Sequence, residues 1–405
     1  MICVVARRIA THYKGVFGRS KAHSLAAVGS KREGRSHLKI VIPKEIVPNE
    51  QRVALDPERV QKLTKLNVQV HVQQGAGLAS GFPDAAYQSA GATVSAHVKA
   101  LLGQADITLK VNPPSVDEVN LLREGSLLIS LLYHRANAEL VNQLVARRIT
   151  ALSMDAIPRT TRAQSMDCLS SQSMLAGYKA VLLAANSLPR MFPMLITAAG
   201  TIVPAKVFIL GAGVAGLQAI ATARRLGAVV SAFDIRPAVK EEVESLGAKF
   251  VGLVLEEAAD KSGYAKEVSE EHQRKEREQI AKYVKESDVV ITTALVPGKR
   301  APVLVTADMV RAMKPGSVVV DLAAAQGGNC ELTQADRDVV DNGVKILGPS
   351  NLPSSMSTNA SQMYARNIHN LLSLMLKEDK LNLDFNDDIL KGCCITHEGK
   401  LLAQL

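Results

Sequence analysis

Three glycines at a fixed spacing, Gly211, Gly213 and Gly216, form the pattern in this chain whose chemistry is easiest to derive. They follow the apolar run 207–210, which is typical of a buried strand, and open a helical pattern; a second apolar run ends on Asp234. The first glycine permits a tight turn, the second lets backbone approach a pyrophosphate, and the third lets the helix pack on the strand. The helix N-terminus would bind the phosphates, and Asp234 would accept hydrogen bonds from a ribose and repel a 2′-phosphate. The unit predicts a dinucleotide site that favours NAD over NADP.

Arg236, two residues beyond the acid, is a reason to question that preference. We expect it to lie beside the pyrophosphate or in solvent. A GxGxxG pattern alone is weak evidence, and its structural alternative is a glycine-rich turn. The strand, turn, helix, strand and acid found together favour the dinucleotide site.

A second polar stretch, RTTRAQSMD at residues 159–167, precedes a helical pattern that runs from Met166 to about Leu188. Ser165 suits the N-cap of this helix, and Asp167 would lie in its first turn, where the helix dipole favours an acid. The density of hydrogen-bonding groups is nevertheless more than capping requires: Arg159, Arg162, Gln164, Asp167, Ser170 and Ser171. The residue types leave capping and ligand binding equally open.

Strand and helix patterns alternate along most of the chain, which is typical of parallel sheets covered on both faces. We predict an α/β fold of two Rossmann-like domains with parallel sheets, the second of which binds the dinucleotide. Residues 1–37 would be a transit peptide, residues 38–165 and 358–405 the first α/β domain, and residues 166–357 the NAD(H)-binding domain. Residues 260–265 are typical of a mobile flap, and Leu295 follows a strand at the rim of the crevice.

The composition of the 405 residues, 47% hydrophobic and 21% charged, is ordinary for a globular protein of two or three domains. The formal net charge of +9 arises mostly in residues 1–36, which hold eight lysines and arginines and one acid. The remainder is nearly balanced, so no nucleic-acid partner is expected. The uncharged run 207–223 is slightly short for a membrane span and contains three glycines, so we predict no transmembrane segment.

The basic, acid-poor leader resembles an organellar transit peptide more than a secretory signal, because it lacks a continuous apolar core. We favour a mitochondrial presequence, and a disordered basic tail is the alternative. The five cysteines form neither a CxxC pair nor a metal-ligand cluster, and the histidines show no matching spacing. Free thiols and no metal site are therefore expected.

Seven stretches from about Leu38 onward resemble the NAD(H)-binding component, domain I of the α subunit, of the proton-translocating NAD(P) transhydrogenase family. They read KEIVPNEQRVAL, GAGLASGFPDAAYQSAGA, RAQSMDCLSSQSMLAGYKAV, ILGAGVAGLQAIATARRLGA, FDIRPAVKEEVESLGA, ITTALVPGK and DLAAAQGGNCE. The third and fifth are specific to it, whereas the others are shared with alanine dehydrogenases, which have the same two-domain fold.

The resemblance implies a role for each site residue. Arg159, Gln164 and Asp167 would orient the nicotinamide, with Ser170 at the same end of the site. The adenosine and pyrophosphate would be lined by Ala212, Val214, Asp234, Ile235 and Arg236 beside the three glycines. Gly263, Tyr264 and Leu295 would cover the site, and Ser262 stands where the family usually has a glycine.

The resemblance also implies the reaction and the partners. Hydride would pass directly from NADH to NADP+ bound on a partner component, without a covalent intermediate or a general base. A membrane-spanning partner would couple this Re/Si-specific transfer to proton translocation. The protein would be a homodimer, peripheral on the matrix side of the mitochondrial inner membrane. A chain that ends at Leu405 would not complete hydride transfer or pump protons alone.

Two alternatives remain open. An alanine dehydrogenase-like enzyme would use an arginine and a lysine for the substrate carboxylate and a histidine as acid and base. Arg52, Lys110 and His134 are at comparable places, although RAQSMD and FDIRP weigh against this interpretation. The second alternative is a catalytically silent NAD-binding subunit.

Overall fold

The computed structural model describes residues 37–252, 270–296, 299–377 and 380–403. In chain order its strands are β1 (Lys39–Ile42), β2 (Gln69–Gln73), β3 (Thr93–Ser95), β4 (Ile107–Leu109), β5 (Leu127–Ser130), β6 (Thr150–Ser153), β7 (Leu195–Thr197), β8 (Gly200–Ile202), β9 (Lys206–Leu210), β10 (Val229–Phe233), β11 (Lys249–Phe250), β12 (Val289–Thr292), β13 (Val318–Asp321), β14 (Asp338–Asp341), β15 (Val344–Leu347), β16 (Leu376–Lys377), β17 (Lys380–Leu381), β18 (Cys394–His397) and β19 (Lys400–Leu401).

The helices of the same ranges are α1 (Pro57–Thr64), α2 (Asp84–Ser89), α3 (Val98–Gln104), α4 (Val116–Leu121), α5 (Ala138–Ala146), α6 (Cys168–Ser187), α7 (Val214–Arg225), α8 (Val239–Ser245), α9 (Glu270–Glu286), α10 (Ala307–Arg311), α11 (Ser357–Met375) and α12 (Asp388–Cys393). Short 3-10 turns occupy Leu78–Ser80, Met154–Ala156, Thr161–Met166, Ala324–Gln326 and Leu352–Met356.

The first sheet has the strand order β19-β18-β6-β5-β4-β1-β2-β3. The six strands from β3 to β6 are parallel and follow the 3-2-1-4-5-6 order of a doubly wound fold, so the strand order reverses between β1 and β4. The expected parallel sheet is confirmed, with one addition. The edge strands β18 and β19 come from the end of the chain and pair antiparallel.

The second sheet has the order β11-β10-β9-β12-β13-β15-β14. Its pairs are parallel except for β14, which runs antiparallel to β15 at the edge. The order reverses between β9 and β12, so the residues that follow these two strands lie at the switch point where open sheets bind ligands. The predicted α/β class with two Rossmann-like sheets is therefore observed.

Local signals in the sequence explain several helix boundaries. Asp56 accepts a hydrogen bond from the Arg59 backbone N–H at 2.9 Å and caps α1, which begins at Pro57, as the types of these two residues predict. The spacing predicts that Val60, Leu63 and Leu66 share one face of this helix, but only the first two lie in it. The helix ends at Thr64, and Leu66 is 43% exposed.

Two long helices join the cores. The first residue of α6, Cys168, belongs to the core of the first sheet, whereas Ala180 and Ala184 of the same helix pack in the core of the second. The helix α11 returns the chain to the first core, where Tyr364 and Ile368 are fully buried. Among the residues that the structure describes, no helix is both long and apolar enough to cross a membrane.

Candidate functional site

The three glycines of the turn after β9 meet different surroundings. Gly211 has φ +98°, and a Cβ there would lie 2.6 Å from Thr293 Oγ1. A Cβ on Gly216 would lie 1.8 Å from the Gly211 carbonyl oxygen, so only glycine fits at the start of α7. At Gly213 the nearest atom to a Cβ is Arg236 Nη2 at 4.0 Å. The space above Gly213 is the portion of the turn left for a ligand, as the motif requires.

Asp234 ends β10 beside this turn and is 8% exposed. Its Oδ2 accepts from the Ala212 backbone N–H at 2.7 Å, and its Oδ1 accepts from the Arg236 backbone N–H at 2.9 Å. The Arg236 guanidinium also donates to both carboxylate oxygens at 3.0 Å. Arg236, which we expected beside the pyrophosphate or in solvent, is thus paired with the acid, and its Nη2 is also the atom nearest the space above Gly213. The pair weakens the charge argument against a 2′-phosphate, because the carboxylate carries its own counterion.

Asp167, not Ser165, is the N-cap of α6, which corrects our expectation. Its Oδ1 accepts from the Ser170 backbone N–H at 2.9 Å and its Oδ2 from Ser170 Oγ at 2.5 Å. Ser165 lies inside the preceding 3-10 turn, because the chain tightens there before the helix begins. Ser170 thus fixes the orientation of the Asp167 carboxylate.

The turn Thr161–Met166 buries two of its side chains and exposes the others. Ala163 and Met166 are 1% and 5% exposed and anchor the turn in the first core. Gln164 is therefore directed outward and is exposed, as is Arg159. Arg162 pairs with Asp387 at 2.5 Å and attaches the turn to the start of α12.

The helix α6 connects this turn to the glycine turn. A Cβ on Gly177 would lie 2.0 Å from the Ala215 carbonyl oxygen, so α6 and α7 touch backbone to backbone at the first turn of α7. Asp167 precedes Gly177 by ten residues, or about 15 Å of helix. One rigid element therefore sets the distance between Asp167 and the glycine turn.

The opposite rim of the crevice follows β12. Thr293 Oγ1 donates to the Gly211 carbonyl oxygen at 2.9 Å, which ties this rim to the glycine turn. Leu295 and Val214 are 41% and 40% exposed, and Ile235 is half-buried. These three apolar side chains could contact a base or nicotinamide ring. The predicted cover residues Gly263 and Tyr264 lie outside the described residues.

Two buried residues shape this rim, Asp321 at the end of a predicted strand and Asn329 after two glycines, where the sequence predicts the rim to continue but not their hydrogen bonds. Asn329 is fully buried, accepts from the Ala294 backbone N–H at 3.0 Å and donates to the Ala294 carbonyl oxygen at 2.9 Å. Asp321 in turn receives five hydrogen bonds, from Thr292 Oγ1, Ala323 N, Asn329 N, Cys330 N and Thr333 Oγ1. The available signal was an acid at the end of a buried strand followed by two glycines. No group of three metal-binding side chains occurs in the described ranges.

Paired charges fill the switch point of the first sheet. Arg52 donates to Glu50 through Nε at 2.8 Å and Nη2 at 2.6 Å, and through Nη1 to Gln172 of α6 at 3.0 Å. Lys110 Nζ lies 2.7 Å from Glu118 and 3.6 Å from Glu45. Both cations are at most 6% exposed, so each already has a carboxylate partner in place of a substrate carboxylate.

The ionisation of this cluster follows from its pairing. Burial alone would raise the pKa of Glu50, but the hydrogen bonds and charge of Arg52 outweigh burial and lower the pKa to about 2. Burial raises the pKa of Glu45 against the charge of Lys110. Glu50 therefore stays ionised and keeps Arg52 paired.

His134 is half-buried, and burial lowers its pKa. Its Nδ1 is buried and finds no hydrogen-bond partner among the described residues. The structure thus supplies a neutral imidazole, but not the free arginine and lysine that amino-acid chemistry would need beside it.

Two family models together match most of the chain. The model described as alanine dehydrogenase/PNT, N-terminal domain, matches residues 41–176, and that of the C-terminal domain matches residues 180–404. A Rhodospirillum rubrum protein, the first of the pieces that make up NAD(P) transhydrogenase subunit alpha, is 48% identical over 375 residues, which cover 90% of this chain and 98% of that protein. An alanine dehydrogenase of Methanococcus maripaludis is 30% identical over 82% of this chain and 87% of its own length. The crystal structure of transhydrogenase from Sinorhizobium meliloti matches with a TM-score of 0.82 and 46% identity, covering 90% of this chain and 99% of that one.

Proposed function

This chain belongs to the alanine dehydrogenase/PNT family, and we propose that it is the NAD(H)-binding component of a proton-translocating NAD(P) transhydrogenase. The observation that carries the proposal is the arrangement along α6. This helix holds the polar turn, by which we mean Thr161–Met166 together with Asp167, at a fixed distance from the glycine turn. A nucleotide bound at one end would thus present its reactive ring at the other.

The residues divide the work of binding and orienting. The N–H groups at the start of α7 and the Arg236 guanidinium would hold the pyrophosphate, and Asp234 would accept from the ribose. Arg159, Gln164 and Asp167 would orient the nicotinamide, and Leu295 would cover it. NADH, when bound, supplies the hydride. The protein contributes orientation and exclusion of water, so the proposal requires no proton-transferring side chain.

The acceptor would be NADP+ on a partner component. Gln164 and Arg159 are exposed beside the half-buried Asp167, which suits a site where a second nucleotide must approach from outside the chain. A membrane-spanning partner would couple the Re/Si-specific transfer to proton translocation. The subunit name of the Rhodospirillum rubrum relative supports an assembly of several components.

We also propose a homodimer that forms through the hairpin of β7 and β8. These strands pair only with each other among the described strands, and all their residues are exposed. Their apolar side chains and those beside them include Met194 at 59%, Ile196 at 74% and Val203 at 59% exposure. A contiguous apolar patch on a two-stranded hairpin is typical of an interface.

A peripheral location on the matrix side of the mitochondrial inner membrane completes the proposal. The basic, acid-poor composition of residues 1–36 supports it.

The decisive experiment follows NADH oxidation by the purified chain with an NADP+-loaded NADP-binding component of a transhydrogenase. We expect turnover only when this component is added. Gln164→Asn should lower the rate about 10- to 100-fold, because shortening the side chain withdraws its amide from the nicotinamide by more than 1 Å. Gln61→Asn, at an exposed position of α1, is the matched control and should leave the rate unchanged.

A parallel assay with pyruvate and ammonium tests the alanine dehydrogenase alternative. We expect no turnover, because Arg52 and Lys110 are already paired with carboxylates. Turnover with pyruvate and ammonium alone would reject the proposal and make His134 the candidate acid and base. Tight NADH binding without turnover under either condition would indicate a silent subunit instead.

A further inference from the structure

A buried asparagine of α11 forms hydrogen bonds with residues on both sides of Asp167. Asn367 is 5% exposed, and its Nδ2 donates to the Ser165 carbonyl oxygen at 2.9 Å. Its Oδ1 accepts from Ser171 Oγ at 2.8 Å. The two serines stand before and after Asp167 in the chain, so one amide group holds both ends of the segment that carries Asp167 and Ser170, and its first residue directly follows Gln164.

The helix α11, which carries Asn367, is anchored in the first core. Tyr364 and Ile368, on either side of it, are fully buried in the first core. Tyr364 Oη also donates to the Lys110 carbonyl oxygen at 2.9 Å, which joins α11 to the residue after β4. Asn367 therefore fixes the turn relative to the first sheet, and α6 fixes it relative to the second.

The Asn367 side chain must be long enough to reach the Ser165 carbonyl, and it must also present a hydrogen-bond donor to that oxygen. The Ser165 carbonyl oxygen only accepts hydrogen bonds, so the atom facing it must be a donor. An aspartate at position 367 would place a charged oxygen against that carbonyl in a buried site, at nearly unchanged volume. Asn370 Nδ2 donates to the same carbonyl at 2.9 Å from a partly exposed position and holds the Ser165 end of the segment.

We infer that Asn367 is a positioning residue for hydride transfer, which sets the orientation of Gln164 and Asp167 without touching the nucleotide. The catalytic side of this inference rests on the proposed function; the structural side rests on the hydrogen bonds alone. A displacement of about 1 Å costs about 100-fold in rate when a reacting group must be aligned. The adenosine and pyrophosphate would still bind at the glycine turn, so the rate should fall more than the NADH affinity.

The test compares four forms of the full chain: wild type, Asn367→Asp, Asn370→Ala and Asn359→Ala. Asn359 is exposed on the same helix and serves as the matched control. For each form we would measure hydrogen exchange of the peptide 161–171, NADH affinity, and single-turnover hydride transfer to the NADP+-loaded component. Asn367→Asp should speed exchange about tenfold or more, because repulsion between two oxygens replaces the hydrogen bond to the Ser165 carbonyl, although Ser171 Oγ can still donate to the carboxylate. It should slow hydride transfer about 10- to 100-fold, with NADH affinity changed less than about threefold, and Asn370→Ala should have smaller effects of the same kind.

Unchanged exchange in Asn367→Asp would overturn the inference, and so would a rate loss no larger than the loss of NADH affinity. If Asn367→Asp does not fold, Asn367→Ser takes its place, because serine is smaller and cannot reach the Ser165 carbonyl. A wild-type chain that transfers no hydride would count against the proposed function. The exchange result would still decide whether Asn367 holds the turn, because that measurement needs no acceptor.

Discussion

Gly213 differs from Gly211 and Gly216 in what surrounds its missing side chain. The other two glycines are required by the protein itself, since a Cβ would clash with Thr293 Oγ1 at Gly211 and with backbone at Gly216. Gly213 has φ −78°, which any residue can adopt, and open space where its side chain would be. Gly213 is the N-cap of α7, where glycine is favoured but not required, and the open space above it is what a ligand backed by the turn would need.

Alanine substitutions can separate these two roles. Gly213→Ala should lower the free energy of unfolding by at most about 1 kcal/mol, because Gly213 is the N-cap of α7 and alanine caps a helix less well. It should weaken NADH binding about tenfold or more, because a methyl group would occupy the space of the pyrophosphate. Gly216→Ala should destabilise the fold by about 3 kcal/mol or more. Thermal unfolding and NADH titration measure both effects. Equal NADH affinity in Gly213→Ala and wild type would place the nucleotide elsewhere.

Among the elements, α6 has the largest influence on the site. It begins at Asp167, receives the hydrogen bond from Arg52 at Gln172, and meets α7 at Gly177. One helix therefore connects the polar turn, the charged cluster of the first sheet and the glycine turn. Any change in how α6 crosses α7 moves the polar turn relative to the glycine turn.

Gly177→Ala tests this crossing, because helix propensity and packing predict opposite effects on stability. Helix propensity alone says that alanine should stabilise α6 by about 1 kcal/mol. The Cβ would lie 2.0 Å from the Ala215 carbonyl oxygen, so we expect destabilisation of about 1–3 kcal/mol instead, together with slower hydride transfer. Asn186→Ala, at an exposed position of the same helix, should be neutral by denaturant unfolding. A Gly177→Ala protein more stable than wild type would mean that α6 and α7 do not touch here.

At the scale of the whole molecule, the hairpin of β7 and β8 is exposed at every residue of both strands. Both sheets have their two faces covered by helices, as the four core clusters show. The hairpin belongs to neither sheet, and a two-stranded hairpin has little stability of its own in water. A second copy of the chain would cover it and would receive its hairpin in return.

Ile196→Asp should therefore shift the protein from dimer to monomer. Burying an isoleucine contributes about 1.5–3 kcal/mol, and a twofold interface contains the residue twice, so we expect the dissociation constant to rise about 100-fold or more. Sedimentation velocity over a range of concentrations measures the shift. Val340→Asp, at a position 67% exposed on the edge strand β14, is the control and should leave the dissociation constant unchanged. An Ile196→Asp protein that sediments like wild type would exclude the hairpin as the interface.

Local sequence by itself determined the elements and the nucleotide turn. The alternation of strands and helices gave the α/β class, and Asp56 with Pro57 gave the start of α1, because capping and apolar periodicity act over a few residues. The glycine spacing and Asp234 gave the dinucleotide turn for the same reason, since every element of that unit lies within one βαβ segment.

Only the tertiary structure decided how these elements are joined. The pairing of Asp234 with Arg236 and the capping by Asp167 are local, but several conformations compete for such side chains, so the residue types alone predicted Ser165 as the N-cap in place of Asp167. The contacts of Gly177 with Ala215 and of Asn367 with Ser165 join residues far apart in the chain, the second pair by 202 positions. No periodicity or spacing encodes such contacts, because they arise from the order in which the strands assemble and from the packing of helices on the finished sheets.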